Sequence, residues 1–317
     1  MKKLFVALGL ALTCMGAAAQ TFPDRPLTLV VPYAPGGGSD LLARALGQII
    51  STQTGQSVVV ENRPGAATVI GAQSVLAKPA DGYTLMAVAA SFVINPHLLK
   101  LPYNQEKDFQ AVTLMATNPH VLVVNNDVPA KTLPELVAWA KANPGKGTFS
   151  SFGNGSSGHI GFEQFKQIAE IDMLHVPYKG AAPATMAVLS GEVSATLGDI
   201  GNVTPHIKAG RLKAIAITGE KRATLLPDVP TFAESGLPDY FSQTWLGLWT
   251  RSGVPQDRLQ RLNELFGQAL KRPEIRELLA EQGTEPKPTT IAEFDAFAKA
   301  ESNKYKQAIE KAGIRIE

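Results

Sequence analysis

Two glycine-rich stretches carry the chemistry-bearing residues. The first is Ala34-Pro35-Gly36-Gly37-Gly38-Ser39-Asp40 and the second is Gly153-Asn154-Gly155-Ser156-Ser157-Gly158-His159. Glycine adopts positive φ without steric cost, so successive backbone N–H groups can converge on one point. Each stretch lies between an apolar run and a helical pattern. That places its amides at a helix N-terminus, where unpaired donors and the helix dipole favour a negative charge. The predicted contacts are Ala34, Gly37, Gly38 and Ser39 in the first stretch and Asn154, Gly155, Ser156 and Ser157 in the second, the two serines adding hydroxyl donors. Hydrogen bonds to a charged oxygen contribute roughly 1.5–3 kcal/mol each. Three or four support micromolar binding of a carboxylate, about −8 kcal/mol, after association entropy is subtracted. The plainer readings are a turn capped by Ser39 or Asp40 and a flexible turn, but three successive glycines exceed what a cap requires.

Catalytic and cofactor chemistry find little support. The second stretch fits G-x-G-x-x-G, but a dinucleotide site also expects an acid at the end of the next strand. That strand ends His175-Val176-Pro177-Tyr178-Lys179, so no cofactor is predicted. G-x-S-x-G is absent from the stretch. His97, His120, His159, His175 and His206 show no paired-ligand spacing, so no metal is predicted. They read as structural or surface residues, with His159 able to orient a cradle serine. A Ser–His pair assembled only by the fold leaves an exported hydrolase as an alternative. Tyr33 and Ser91, each at a strand's end, either line the ligand site or pack the core. Asp199 either meets an ammonium or hydroxyl on the ligand or caps a turn. Lys179 reads as surface.

The elements that position these stretches alternate between strand and helix. Residues 26–32 (PLTLVVP) read as a buried strand, and apolar residues at 41, 42, 45, 46, 49 and 50 have helical spacing. A strand at 58–60, a helix at 68–77 and a strand at 83–88 complete a β-α-β-α-β unit of a parallel sheet. Strands at 111–115 and 121–124 follow. Thr132-Leu133-Pro134-Glu135 opens a helix with a capping box. Strands at 147–152, 173–176, 194–197 and 212–218 alternate with helices ending near 169 and 189. Residues 226–238 are rich in Pro, Asp and Gly. An aromatic strand at 240–249 and three helices near 256–270, 273–282 and 291–312 complete the chain. The pattern predicts an α/β protein of two lobes joined by two crossover segments, a hinged clamshell with a ligand cleft between. Lobe one is expected at 21–124 and 226–317, lobe two at 125–225.

The N-terminus bounds the compartment. Lys2 and Lys3 precede an apolar run of roughly a dozen residues and then Ala17-Ala18-Ala19, the pattern of a secretory signal peptide over residues 1–19. The run is shorter than the ~20 residues a membrane span needs. No direct membrane insertion is expected after cleavage, which places the mature chain in the periplasm. The single cysteine, Cys14, falls inside this segment and poorly matches a lipidation site. No disulfide or thiol chemistry is therefore expected. Without Lys2 and Lys3 the basic and acidic residues balance at 28 each, which argues against a nucleic-acid partner. A mature chain of about 300 residues is long enough for two lobes.

Several stretches carry a resemblance. Residues 22–44 (FPDRPLTLVVPYAPGGGSDLLAR), 58–71 (VVVENRPGAATVIG), 79–85 (PADGYTL), 107–109 (KDF), 175–191 (HVPYKGAAPATMAVLSG) and 226–236 (LPDVPTFAESG) resemble, in order, the Bug family of extracytoplasmic receptors of tripartite tricarboxylate transporters. The resemblance implies a periplasmic binding protein type II-like fold and no enzymatic activity. It also implies a small carboxylate ligand held between residues 33–39 and 154–157, partly through ordered waters. Its expected partners are membrane permease subunits, the receptor itself being a monomer. The same fold could instead present its ligand to a signalling partner. Ligands of such receptors include amino acids, di- and tricarboxylates and aromatic carboxylates. Tyr33 stands where Phe is usual, Ala67-Thr68 where Gly-Gly is common, and Ala187 and Ser194 where Asp is frequent.

Overall fold

The computed structural model describes residues 22–315. The expected signal segment and Cys14 lie outside the described residues. β1 (Leu27–Val31) leads through the first glycine stretch into α1 (Gly38–Thr54), followed by β2 (Val58–Asn62), α2 (Val69–Leu76) and β3 (Thr84–Ala89). β1 pairs in parallel with both β2 and β3, as the β-α-β-α-β reading predicts. β1 reads as a continuous apolar run because both its faces are covered. Leu27, Leu29 and Val31 pack with Leu42, Leu46 and Ile50 of α1, while Val30 packs with Ala72 and Val75 of α2.

Two short helices, α3 (Ser91–Ile94) and α4 (Gln105–Asp108), precede β4 (Phe109–Val124). The sequence predicts two separate strands here, but the structure has one. Its first part, as far as Pro119, pairs antiparallel with β9 (Gln243–Arg251); from His120 onward it pairs with β7 (Ala195–Asp199) and β8 (Lys213–Ile217). Proline lacks a ladder donor, and Pro119 falls where the strand exchanges one neighbour for another.

The second lobe also contains α5 (Leu133–Ala142), β5 (Thr148–Ser151), α6 (Ser157–Ala169), β6 (Leu174–Pro177), α7 (Ala181–Leu189) and α8 (Ile200–Lys208), with β5 parallel to both β6 and β7. The boundaries expected at 124/125 and 225/226 both move. Residues 226–242 belong to the second lobe: Phe232 and Tyr240 are buried against Phe165, and Thr231 bridges to Ile217. Two buried aromatics dock the segment on the second lobe. The crossings lie at Pro119–His120 and at Ser242–Gln243.

The first lobe is completed by β9, which lies between β3 and β4, and by α9 (Gln256–Leu270), α10 (Pro273–Glu281), β10 (Glu285–Pro286) and α11 (Ile291–Ala312). No helix among the described residues is long and apolar enough to cross a membrane.

The turn before α2 is strained. Ala67 (φ 49°) and Thr68 (φ 74°) both lie in the left-handed region, at the two positions where the resemblance expects Gly-Gly. Thr68 is β-branched and buried, and its hydroxyl has no hydrogen-bond partner. Such a conformation costs on the order of 1–3 kcal/mol. Thr68→Gly is therefore expected to stabilise the protein by about 1 kcal/mol, read as a higher urea midpoint. A lower midpoint would show that Thr68 makes a contact worth more than the strain.

Candidate ligand site

The first loop crosses the carboxyl end of β1. Its N-cap, Gly37, is extended and offers no side chain (φ −77°, ψ 166°). The amides of Gly38 and Ser39 therefore begin α1 without an intrahelical acceptor. Ala34, Gly37 and Gly38 are exposed and Ser39 is half-buried. Asp40 braces the loop from below. Its buried carboxylate accepts Gly36 N–H at 2.9 Å and Arg44 Nε–H at 3.0 Å on Oδ2, and Asn62 Nδ2–H at 2.9 Å on Oδ1. Hydrogen bonding from the Arg44 guanidinium holds its pKa at about 2. One loop amide, that of Gly36, is thus already taken. Tyr33 and Ser91 are brought together: the Tyr33 hydroxyl accepts Ala89 N–H at 2.9 Å and lies 3.1 Å from Ser91 Oγ. The Tyr33 ring packs on both apolar clusters of the first lobe. Burial raises the pKa of its hydroxyl, which stays neutral.

The second loop turns at Gly153 (φ 129°) and Gly155 (φ 73°), positions only glycine occupies without strain. Ser156 caps α6, its Oγ accepting His159 N–H at 3.3 Å. Asn154 is the exposed tip. His159 is buried rather than solvated, and its Nδ1 accepts Gly155 N–H at 3.2 Å. Its ring stacks on His175 at 3.8 Å between centroids. His175 Nε2 is 2.6 Å from Ser151 Oγ, which in turn accepts Gly153 N–H at 3.3 Å. Two stacked imidazoles and a serine thus fix both glycines. Burial pushes His159 down to about 3 and His175 down to about 4.

Ser157 is buried and directs its hydroxyl at His120, 3.4 Å from Nε2. The predicted cradle donor therefore has a partner within the protein. Asp199 ends β7 directly across from His120. Its Oδ1 lies 3.9 Å from the same Nε2 and is buried without any hydrogen-bond partner. Burial raises Asp199 to about 6 and depresses His120 to about 3. With His120 neutral, the two do not form an ion pair at neutral pH.

Gln282, at the end of α10, joins the two halves. A Cβ on Gly38 would stand 2.7 Å from Gln282 Oε1, and one on Gly201 would stand 2.9 Å from the Gln282 carbonyl. Gly201 lies in the first turn of α8, two residues after Asp199. A continuous path of contacts thus runs from Gly38 through Gln282 and Gly201 to Asp199, His120 and Ser157.

The fold does assemble serine, histidine and aspartate together, but not as a nucleophilic triad. A triad needs the hydroxyl on one ring nitrogen and the carboxylate on the other. Here Ser157 and Asp199 face the same nitrogen, and Nδ1 is occupied by Ser242 Oγ at 2.9 Å.

The profile of the tripartite tricarboxylate transporter family receptor matches residues 42–314. The chain belongs to that family. Among its relatives, BugT of Bordetella pertussis is 32% identical over 323 residues, covering 100% of this chain and 99% of BugT. The structure of R. palustris Rpa4515 with adipate is similar at a TM-score of 0.82 and 31% identity, with 93% of this chain and 99% of that chain covered. MatC (Rpa3494) from Rhodopseudomonas palustris with bound malate is similar at a TM-score of 0.77 and 28% identity, covering 91% and 100%. Family membership makes the chain a receptor with the two-lobed α/β fold. His120, Ser242 and Gln282 were missed by sequence reasoning. Each is a lone polar residue outside any motif, and only the third dimension brings them to the loops.

Proposed function

We propose that this receptor works outside the cytoplasm, holds the carboxylate of a small solute between its two glycine loops, and hands it to membrane permease subunits. The observation that supports the proposal is the pair of helix starts itself: free amides open α1 after β1, a serine-capped turn opens α6 after β5, and a path of contacts through Gln282 connects the two. Residues Ala34, Gly37, Gly38 and Ser39 supply one jaw; Asn154, Gly155 and Ser156 supply the other. Tyr33, Ser91 and Ser157 form the supporting wall. The relatives bound to adipate and to malate support a carboxylate ligand.

The test is a thermal-shift screen of residues 20–317 against a carboxylate panel, with calorimetry and mass spectrometry on the hits. Binding at a hundredfold excess over Kd stabilises by about 2.7 kcal/mol, and the ligand is recovered unchanged. Ser156→Ala is expected to weaken the best hit by roughly 1–3 kcal/mol. No shift with any carboxylate, or conversion of a hit to product, would sink the reading.

A further inference from the structure

The least explained group at the site is Asp199. It ends β7 and occupies the N-cap position of α8, yet makes no side-chain cap bond. Aspartate is among the residues that most readily accept from the amides of a helix's first turn. Here the carboxylate turns away from those amides, and its Oδ1 is buried and bare. No lysine or arginine lies within ion-pairing distance; its one ionisable neighbour at that range among the described residues is His120, at 3.9 Å. His120 gives no compensating charge, because burial keeps the ring neutral. The groups around that ring are engaged with it: Ser157 lies at Nε2, and Ser242 at Nδ1. The side chain keeps 23% of its surface exposed, but Oδ1 is a buried acceptor without a donor, and that costs free energy. Asp199 sits at the carboxyl end of β7, which runs parallel to β5, and carboxyl ends of strands are where open α/β sheets place ligands.

We propose that Asp199 Oδ1 is the acceptor for a hydrogen-bond donor on the ligand, so that the receptor selects carboxylates carrying an amino or hydroxyl group over their unsubstituted counterparts. The inference rests on the carboxylate-capture reading above. The glycine loops take the carboxylate, which every candidate shares, and Asp199 reads the substituent. An ammonium supplies both the proton and the missing charge; a hydroxyl supplies the proton alone.

The experiment uses matched sets at three chain lengths: propionate, lactate and alanine; succinate, malate and aspartate; glutarate, 2-hydroxyglutarate and glutamate. Dissociation constants are measured by calorimetry for the parent protein, Asp199→Ala and Asp199→Asn. The expected result is at least a tenfold preference for a substituted acid over the unsubstituted acid of the same length, abolished by Asp199→Ala. Asp199→Asn retains an acceptor without the charge. It is expected to keep a hydroxyl preference and to lose an ammonium preference. Ligand-free Asp199→Ala is expected to melt above the parent, because it removes a buried acceptor that has no donor; a carboxylate with a purely structural role would lower the melting temperature instead. Binding of the unsubstituted acids with equal affinity, unchanged by Asp199→Ala, would overturn this inference and leave carboxylate capture standing. No binding by any of the nine would overturn this inference, and carboxylate capture would then be decided by the wider panel above.

Discussion

Lowering the pH from 7 to 5 is expected to destabilise the ligand-free protein by several kcal/mol. The cause is burial of imidazoles that the fold keeps neutral. His120 and His159 are held down to about 3 and His175 to about 4, with desolvation the leading cause in each; His97 shifts in the same direction. These folded values lie below the unfolded one of about 6.5. As the pH falls through 6.5 the unfolded chain takes up protons that the folded chain refuses. Stability is therefore complete above 6.5 and is lost progressively down to the folded values. At pH 5 the buried rings of His120 and His159 cost about 2 kcal/mol each, and the partly exposed His175 costs less because solvent screens it. Asp199 opposes this, because its raised value near 6 lets the folded form bind a proton first. Its gain at pH 5 is on the order of 1–1.5 kcal/mol, too small to cancel three histidines. The check is the urea midpoint at the two pH values, and a flat profile would refute the neutral-imidazole account. Protonation also removes the acceptor that His159 Nδ1 offers Gly155 N–H. Loss of the second loop's shape is thus expected to accompany loss of stability.

Asp40→Ala is expected to cost about 2–4 kcal/mol and to weaken ligand binding at least tenfold. One buried carboxylate accepts from Gly36, Arg44 and Asn62, and bonds to a charged group contribute roughly 1.5–3 kcal/mol each before the exposed partners recover water. Arg44 and the Gly36 amide are near solvent and recover most of theirs, which is why the expected cost lies below the sum. The binding loss follows from geometry: without the tether to Gly36, the amides of Gly38 and Ser39 lose their fixed position. Since Asp40 titrates near 2, its contribution is present above about 4 and disappears only as the pH falls toward 2. It is constant between pH 5 and 7, so the two effects separate. Urea unfolding and calorimetry on the variant test both parts; unchanged affinity would remove the first loop from the site.

Both glycine loops could be read in the sequence because glycine runs between a strand and a helix have few other physical reasons to exist. The β-α-β-α-β unit was equally legible, since β1 is buried on both faces and α1 on one. The continuity of β4 was not. Thr117-Asn118-Pro119-His120 has the polar, proline-bearing look of a break, and only the change of neighbours at Pro119 explains how a strand passes through it. Residues 226–242 misled as well: their position groups them with the first-lobe chain that follows them, but Phe232 and Tyr240 decide that they pack on the second. α8 was missed because Gly201 and Pro205 interrupt it. Asp199 could be named from its place after a strand. That its Oδ1 would be left without a donor depends on His120 and Ser242, residues 79 positions before it and 43 after it.

Pro119 and Gln243 face each other across adjacent strands, so the chain leaves the first lobe and returns to it at one place. The second lobe is in effect a cassette spliced into the first. This has a consequence for the order of folding. The cassette needs only residues 120–242, whereas the first lobe needs β9, a strand inside its sheet, and the helix that ends at Ala312. Domains generally fold as units, so the internal lobe can close from one contiguous stretch of chain. The first lobe must bring together two stretches separated by that whole lobe.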